Sequence, residues 1–272
     1  MWRDALGTLH QRAGGAARIV SLVPSITELI CELGLAGQLV GRTGFCVHPR
    51  DALKSVPKVG GTKDVNLAKL RALAPTHVLL NIDENEKPVA AALAEFVPHL
   101  IVTHPQSPLD NLALYRLLGG IFEREQSAEA LCARFCQAQD ALTQAARDWP
   151  RQRVLYLIWK NPWMTVSRDT YISRTLALAA WDTLPANSAE RYPQLRLEAS
   201  VLQDVELVLL PSEPYRFRAR DVAALRALPL MRGKTVALID GEMSSWYGSR
   251  AIAGMAYLRR LRQFPARKPQ RD

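Results

Sequence analysis

Apolar positions along this chain switch between two rhythms. Short unbroken runs, Arg18 to Val23, Leu39 to Gly41, His77 to Leu80 and His99 to Thr103, have the aliphatic density of strands covered on both faces. Between them, apolar residues return every three or four positions in Ile26 to Leu33, Asn66 to Leu73 and Lys87 to Phe96, with Gly34 and Pro75 as stops. Ser25, after Pro24, reads as the cap of the first of these helices. Strands and helices alternate without hairpin turn signals, which predicts a parallel sheet wrapped by helices.

A different pattern occupies the middle. No proline interrupts the stretch between Pro108 and Pro150, and Leu109, Leu112, Leu118, Ile121, Phe122, Ala128, Leu131, Cys132, Phe135 and Leu142 fall on one helical face. The spacing predicts a single helix from Ser107 to Trp149, begun by Ser107 and Asp110 and weakened at Gly119-Gly120. Such a helix would reach ~60 Å at 1.5 Å per residue, the length of a strut rather than of one α/β layer. Behind it the first scheme restarts. Arg153 to Trp159, Glu206 to Leu210 and Lys234 to Ile239 read as strands, with helices over Thr170 to Ala180, before Glu206, and over Ser249 to Phe264. The expected fold is α/β: two Rossmann-like lobes with parallel sheets, 1–106 and 150–272, joined by one long backbone helix over 107–149. Their carboxyl-end loop layers would face a cleft, and the ligand would sit there.

Composition supports a globular chain large enough for such a division: 272 residues, 48% hydrophobic and 22% charged. The net charge of +9 raises nucleic acid as a partner, but Arg259, Arg260, Arg262, Arg267, Lys268 and Arg271 concentrate part of the excess in a basic tail without a recognition motif. Residues Met1 to Arg18 contain Arg3, Asp4, Arg12 and Arg18 and do not read as a secretory signal, and no stretch is long and apolar enough to span a membrane. The sequence as it stands therefore reads as cytoplasmic, and as periplasmic if the start lies upstream. Cys31, Cys46, Cys132 and Cys136 form no CxxC pair and are expected as free thiols. GxSxG, HExxH, P-loop and GxGxxG motifs are absent, and no two carboxylates pair at a spacing suited to acid–base work, so catalysis is not expected.

Arg18-Ile19-Val20-Ser21-Leu22-Val23-Pro24-Ser25-Ile26-Thr27-Glu28, then Leu39-Val40-Gly41, Val59-Gly60-Gly61, Asn66-Leu67 and Leu73-Ala74-Pro75-Thr76-His77-Val78-Leu79, together resemble the substrate-binding proteins of ABC importers for cobalamin and iron-siderophores. Asn161-Pro162 and Ser249-Arg250 extend the resemblance, which is greatest to the cobalamin-binding branch. It implies two lobes joined by a rigid helix, reversible binding of a corrinoid or other metal-complex ligand without chemistry or a covalent cofactor, and a monomer that docks on an importer permease. The family's ligand contacts fall on Phe45, Thr62 (a tryptophan in the cobalamin binders), Asn81, Tyr192 (another tryptophan) and the loop from Glu242 to Trp246. Trp163, Trp246 and Tyr247 are candidates to replace the two missing aromatics, and Arg250 to orient the ligand or pair with a carboxylate such as Asp240. His48 is a candidate metal ligand. Of the family's two docking glutamates, Glu198 matches, whereas Ala68 stands at the other position. Two alternatives stay open: a cytoplasmic metal or tetrapyrrole carrier or sensor on the same fold, and an enzyme of corrinoid metabolism using His48 and Glu242.

Overall fold

The computed structural model describes residues 1–14 and 17–263, so the basic end at Arg267, Lys268 and Arg271 lies outside the described residues. These residues form two compact units. The first comprises Met1–Pro105, Leu109–Phe135 and Tyr247–Arg250, and the second Gln106–Pro108, Cys136–Trp246 and the described residues from Ala251 on.

The first unit opens with a hairpin, β1 (Trp2–Arg3) against β2 (Leu9–His10). Its sheet is parallel, in the order β4 (Leu39–Arg42), β3 (Ile19–Ser21), β5 (His77–Asn81), β6 (His99–Thr103). Helices α1 (Pro24–Glu32), α2 (Leu67–Ala72) and α3 (Lys87–Ala94) make the crossovers. Val20, Leu22, Val59, Leu70, Val78, Leu80 and Leu93 fill the core between sheet and helices, as the continuous apolar strands require. Pro24 takes the first position of α1 and Val23 the cap, so Ser25 lies inside the first turn and is not the cap expected from the sequence. The hairpin covers the β6 edge: Ala5 donates its N–H to the Val102 carbonyl at 2.9 Å.

The single helix expected over Ser107–Trp149 is two helices, α4 (Asp110–Ile121) and α5 (Glu125–Ala146). A Schellman turn ends α4: Glu123 adopts φ +57° and Arg124 donates its N–H to the Gly119 carbonyl. Helix α5 then folds back along α4. The Arg116 guanidinium forks onto Glu129, and the Cys132 thiol reaches the Leu112 carbonyl at 3.8 Å. Gly119 and Gly120 serve this packing. A Cβ on Gly119 would stand 2.5 Å from that of Ala128, and one on Gly120 would stand 2.0 Å from the Trp2 ring. The long connecting helix is α5 alone, 22 residues or ~33 Å, with residues to Phe135 in the first unit and from Cys136 in the second.

The second unit repeats the plan. Its parallel sheet runs β12 (Thr235–Ile239), β11 (Leu207–Pro211), β7 (Gln152–Tyr156), β9 (Trp181–Thr183), and a two-stranded ribbon pairs β8 (Trp163–Met164) with β10 (Gln194–Leu195). The helices are α6 (Tyr171–Ala177), α7 (Ala199–Leu202), α8 (Ala219–Arg226), α9 (Gly241–Ser245) and α10 (Arg250–Gln263), the last beginning with the final residue assigned to the first unit. Leu155, Leu157, Val208, Leu210, Val222 and Val236 build its core. The fold is thus α/β with two parallel sheets, as the alternation predicts. The hairpin β1–β2, the ribbon β8–β10, strand β9 and helices α8 and α9 are additional to the expected elements.

Candidate functional site

Parallel sheets present their ligand-facing loops at the carboxyl ends of the strands. In the first unit, the loop after β4 is held from beneath by Arg42. Its buried guanidinium donates to the carbonyls of Thr43 (3.3 Å), Cys46 (2.8 Å) and Leu53 (3.1 Å). Cys46 lies 3.0 Å from Thr27 Oγ1 and 3.1 Å from Thr43 Oγ1, and burial pushes its thiol pKa up, so it remains an uncharged packing group. On this fixed base Phe45 is 63% exposed. Its ring rests on Gly61, where a Cβ would come within 3.3 Å of Cε2. Thr62 is adjacent, and Asn85 binds its carbonyl at 2.9 Å. Phe45 and Thr62 are therefore brought together. Asn81 is buried and its amide is committed, donating to Thr103 Oγ1 and accepting from the Asp83 N–H, so it braces the turn after β5. His48 is half-buried, next to a cis Pro49; among the described residues no three His, Cys, Asp or Glu side chains converge to hold a metal ion.

Tyr247, Gly248 and Arg250 are anchored within the first unit. Gly248 needs its φ of +78° and its missing side chain, since a Cβ would lie 3.0 Å from the Ser25 carbonyl. Its N–H donates to Asn111 Oδ1 (2.7 Å) and its carbonyl accepts from the Tyr115 hydroxyl (2.8 Å). Tyr247 is buried and donates its hydroxyl to Glu84 at 2.5 Å. Burial, with Asp83 adding to it, raises the Glu84 carboxyl to about 7 despite that hydrogen bond. Arg250 forks onto Glu28 with two bonds of 2.8 Å; the carboxylate paired with it is Glu28, and Asp240 instead caps α9 through the Met243 N–H.

In the second unit, Trp246 is 9% exposed and its indole N–H donates to the Glu213 carboxylate. Glu242 is half-buried in the first turn of α9. Trp163, on the ribbon, stacks parallel to Phe217 at 6.2 Å, and Tyr215 and Trp159 continue the row at 4.6 and 5.6 Å. Trp159 is 41% exposed, so this row of rings reaches the surface just beyond β7. The ribbon also fixes Tyr192. The Thr165 N–H donates to the Pro193 carbonyl and the Ser167 N–H to that of Arg191, and the Arg191 guanidinium lies 5.9 Å from the Tyr192 ring. Glu198 is exposed at the cap of α7 and accepts from Ser200, and Ala68 is exposed on α2 beside Lys69 and Arg71.

Sequence reasoning missed four contributors. Trp159, Tyr215 and Phe217 are visible as aromatics just after strands, and Asn85 as an amide in a turn, but nothing in their spacing reveals that they meet.

Residues 19–226 match the model of a family described as periplasmic binding protein. The chain belongs to this family. The vitamin B12-binding protein of Photorhabdus laumondii subsp. laumondii is 26% identical over 207 residues, 74% of this chain and 73% of the relative. That of Pectobacterium carotovorum subsp. carotovorum is 23% identical over 199 residues, 72% of each chain. Among solved structures, the periplasmic vitamin B12-binding protein of Vibrio cholerae superposes with a TM-score of 0.78 at 17% identity, covering 93% of this chain and 99% of its own. The periplasmic heme-binding protein of Roseiflexus sp. RS-1 gives 0.77 at 21%, covering 91% and 98%. At these identities the structural likeness establishes the fold. Family and fold are those of solute-binding proteins rather than enzymes.

Proposed function

We propose that this protein reversibly holds a corrinoid, siderophore or similar metal-complex ligand on the carboxyl-end loops of its sheets, without transforming it, as the solute-binding component of an ABC-type uptake system. The observation that carries the reading is Phe45, a large ring left open to solvent but seated on Gly61 and fixed by the Arg42-centred loop. An ordered, solvent-open phenyl face offers the flat apolar surface that a planar ring system can cover. Val47 and Ile82, both exposed on carboxyl-end loops of the same unit, extend the apolar character. The relatives' vitamin B12 and heme supply the ligand class, in which the metal travels inside the ligand.

Titration of the full chain with hydroxocobalamin, hemin and a ferric siderophore, followed by tryptophan fluorescence and ligand absorbance, tests the proposal. Saturable binding of at least one, with the ligand recovered unchanged, is expected. Phe45→Ala should weaken that binding at least tenfold, about 1.4 kcal/mol. Turnover of the ligand, or no binding by any of the three, rejects it.

A second reading, a carrier or sensor that hands its ligand to something other than an importer, is favoured by Ala68 and its neighbours Lys69 and Arg71 on α2, where the importer-associated relatives are expected to show a carboxylate.

A further inference from the structure

Residues 167–169 beyond β8 and 186–189 beyond β9, the edge strand of the second unit's sheet, line a half-open pocket of about 420 Å3. Ligand sites run ~300–1,000 Å3, and this space, near the low end, has room for the side arms at one edge of a macrocycle. Its walls are small and mixed, Ser167, Asn187 and Ser188 beside Ala186 and Ala189, and the charged groups lining it are Arg168 and Asp169.

The two charges are not equivalent. Asp169 lies 3.8 Å from the Arg174 guanidinium, and Asp182, the carboxylate whose titration senses Arg168, is already forked by Arg151. Arg168 is exposed and, among the described residues, has no hydrogen-bond or ion-pair partner. Its backbone position is nevertheless fixed. The Ser167 N–H binds the Arg191 carbonyl at 2.8 Å, and the Thr170 hydroxyl binds the Ser167 carbonyl at 2.8 Å. A guanidinium lining a half-open pocket, with the neighbouring acids facing other guanidinium groups, is a receptor for an incoming anion. One guanidinium with Asp169 beside it suits a singly charged carboxylate better than a doubly charged phosphate.

We propose that this cavity receives a carboxylate-bearing side arm of a macrocyclic ligand, with Arg168 as its ion-pair partner, so that the protein selects acid-bearing over amide-bearing rings. The inference deepens the function proposed above and rests on it.

A matched pair of corrinoids separates the two claims: cobyrinic acid, whose side arms are free carboxylates, and cobinamide, whose arms are amides. Calorimetric titration of the full chain with each should show at least tenfold tighter binding of cobyrinic acid. Arg168→Gln should collapse that ratio toward one, and Arg168→Lys should restore part of it. Binding of both with no preference, or a preference that survives Arg168→Gln, overturns this inference and leaves the macrocycle reading standing. Binding of neither overturns this inference, and the proposed function falls with it only if hemin and a ferric siderophore are refused as well.

Discussion

Asp4 is a buried carboxylate surrounded by donors. Its carboxylate is 7% exposed and accepts from the N–H groups of Leu6, Thr8 and Val102 and pairs with His10. Removing it orphans several buried donors at once, so Asp4→Ala should cost about 2–4 kcal/mol, read as a lower urea midpoint. Glu84 gives a pH signature. Its carboxyl titrates at about 7 in the folded chain against ~4.3 when unfolded, so its stabilising contribution is complete below ~4.3 and is lost as pH rises through about 7. Glu84→Gln keeps an acceptor for Tyr247 and should flatten that decline, making the variant more stable than the parent at pH 8 by about 1–3 kcal/mol in pH-resolved denaturation. Phe45 and Trp246 should separate cleanly. Phe45→Ala acts on affinity with an unchanged melting temperature, whereas Trp246→Ala removes a packed ring and should lower stability by about 3–5 kcal/mol. The sequence showed both rings as equal candidates. Only burial and the Glu213 hydrogen bond distinguish the platform from the packed anchor.

Among the elements, the break between α4 and α5 is the most instructive. Helix stops are legible when glycine sits at the left-handed position, but here Glu123 occupies it, while the two conspicuous glycines one turn earlier serve contacts with Trp2 and Ala128. The apolar periodicity ran on because both helices bury the same kind of face. Glu123→Gly should therefore raise stability by about 0.5–1 kcal/mol, its 3.7 Å contact with Arg12 being too exposed to matter. Gly120→Ala should lower it by about 1–3 kcal/mol through the Trp2 ring, and thermal melts of the pair would report opposite shifts. Strands β3, β5 and β11 were legible because burial on both faces makes them continuous apolar runs. Strands β8, β9 and β10, at two or three residues each, are too short to carry a period, and the β1–β2 hairpin is set by the side chain of Asp4 rather than by a turn dipeptide.

For the whole molecule, two parallel sheets and a family match over residues 19–226 make a solute-binding protein. Among the described residues no helix is long and apolar enough to cross a membrane. The proposed importer partnership can be tested at α2, where Ala68 stands at the position expected to carry a docking carboxylate. A cobalamin-type importer in vesicles should show little ATPase stimulation by this chain and more by Ala68→Glu; robust stimulation by the unmodified chain would show that Ala68 is no obstacle. The most direct test of the binding claim is native mass spectrometry of the protein purified from its own cells without refolding. The account predicts a non-covalent adduct with the mass and metal content of a macrocycle or siderophore complex, released intact on denaturation. A bare chain that takes up none of hydroxocobalamin, hemin or a ferric siderophore would contradict it.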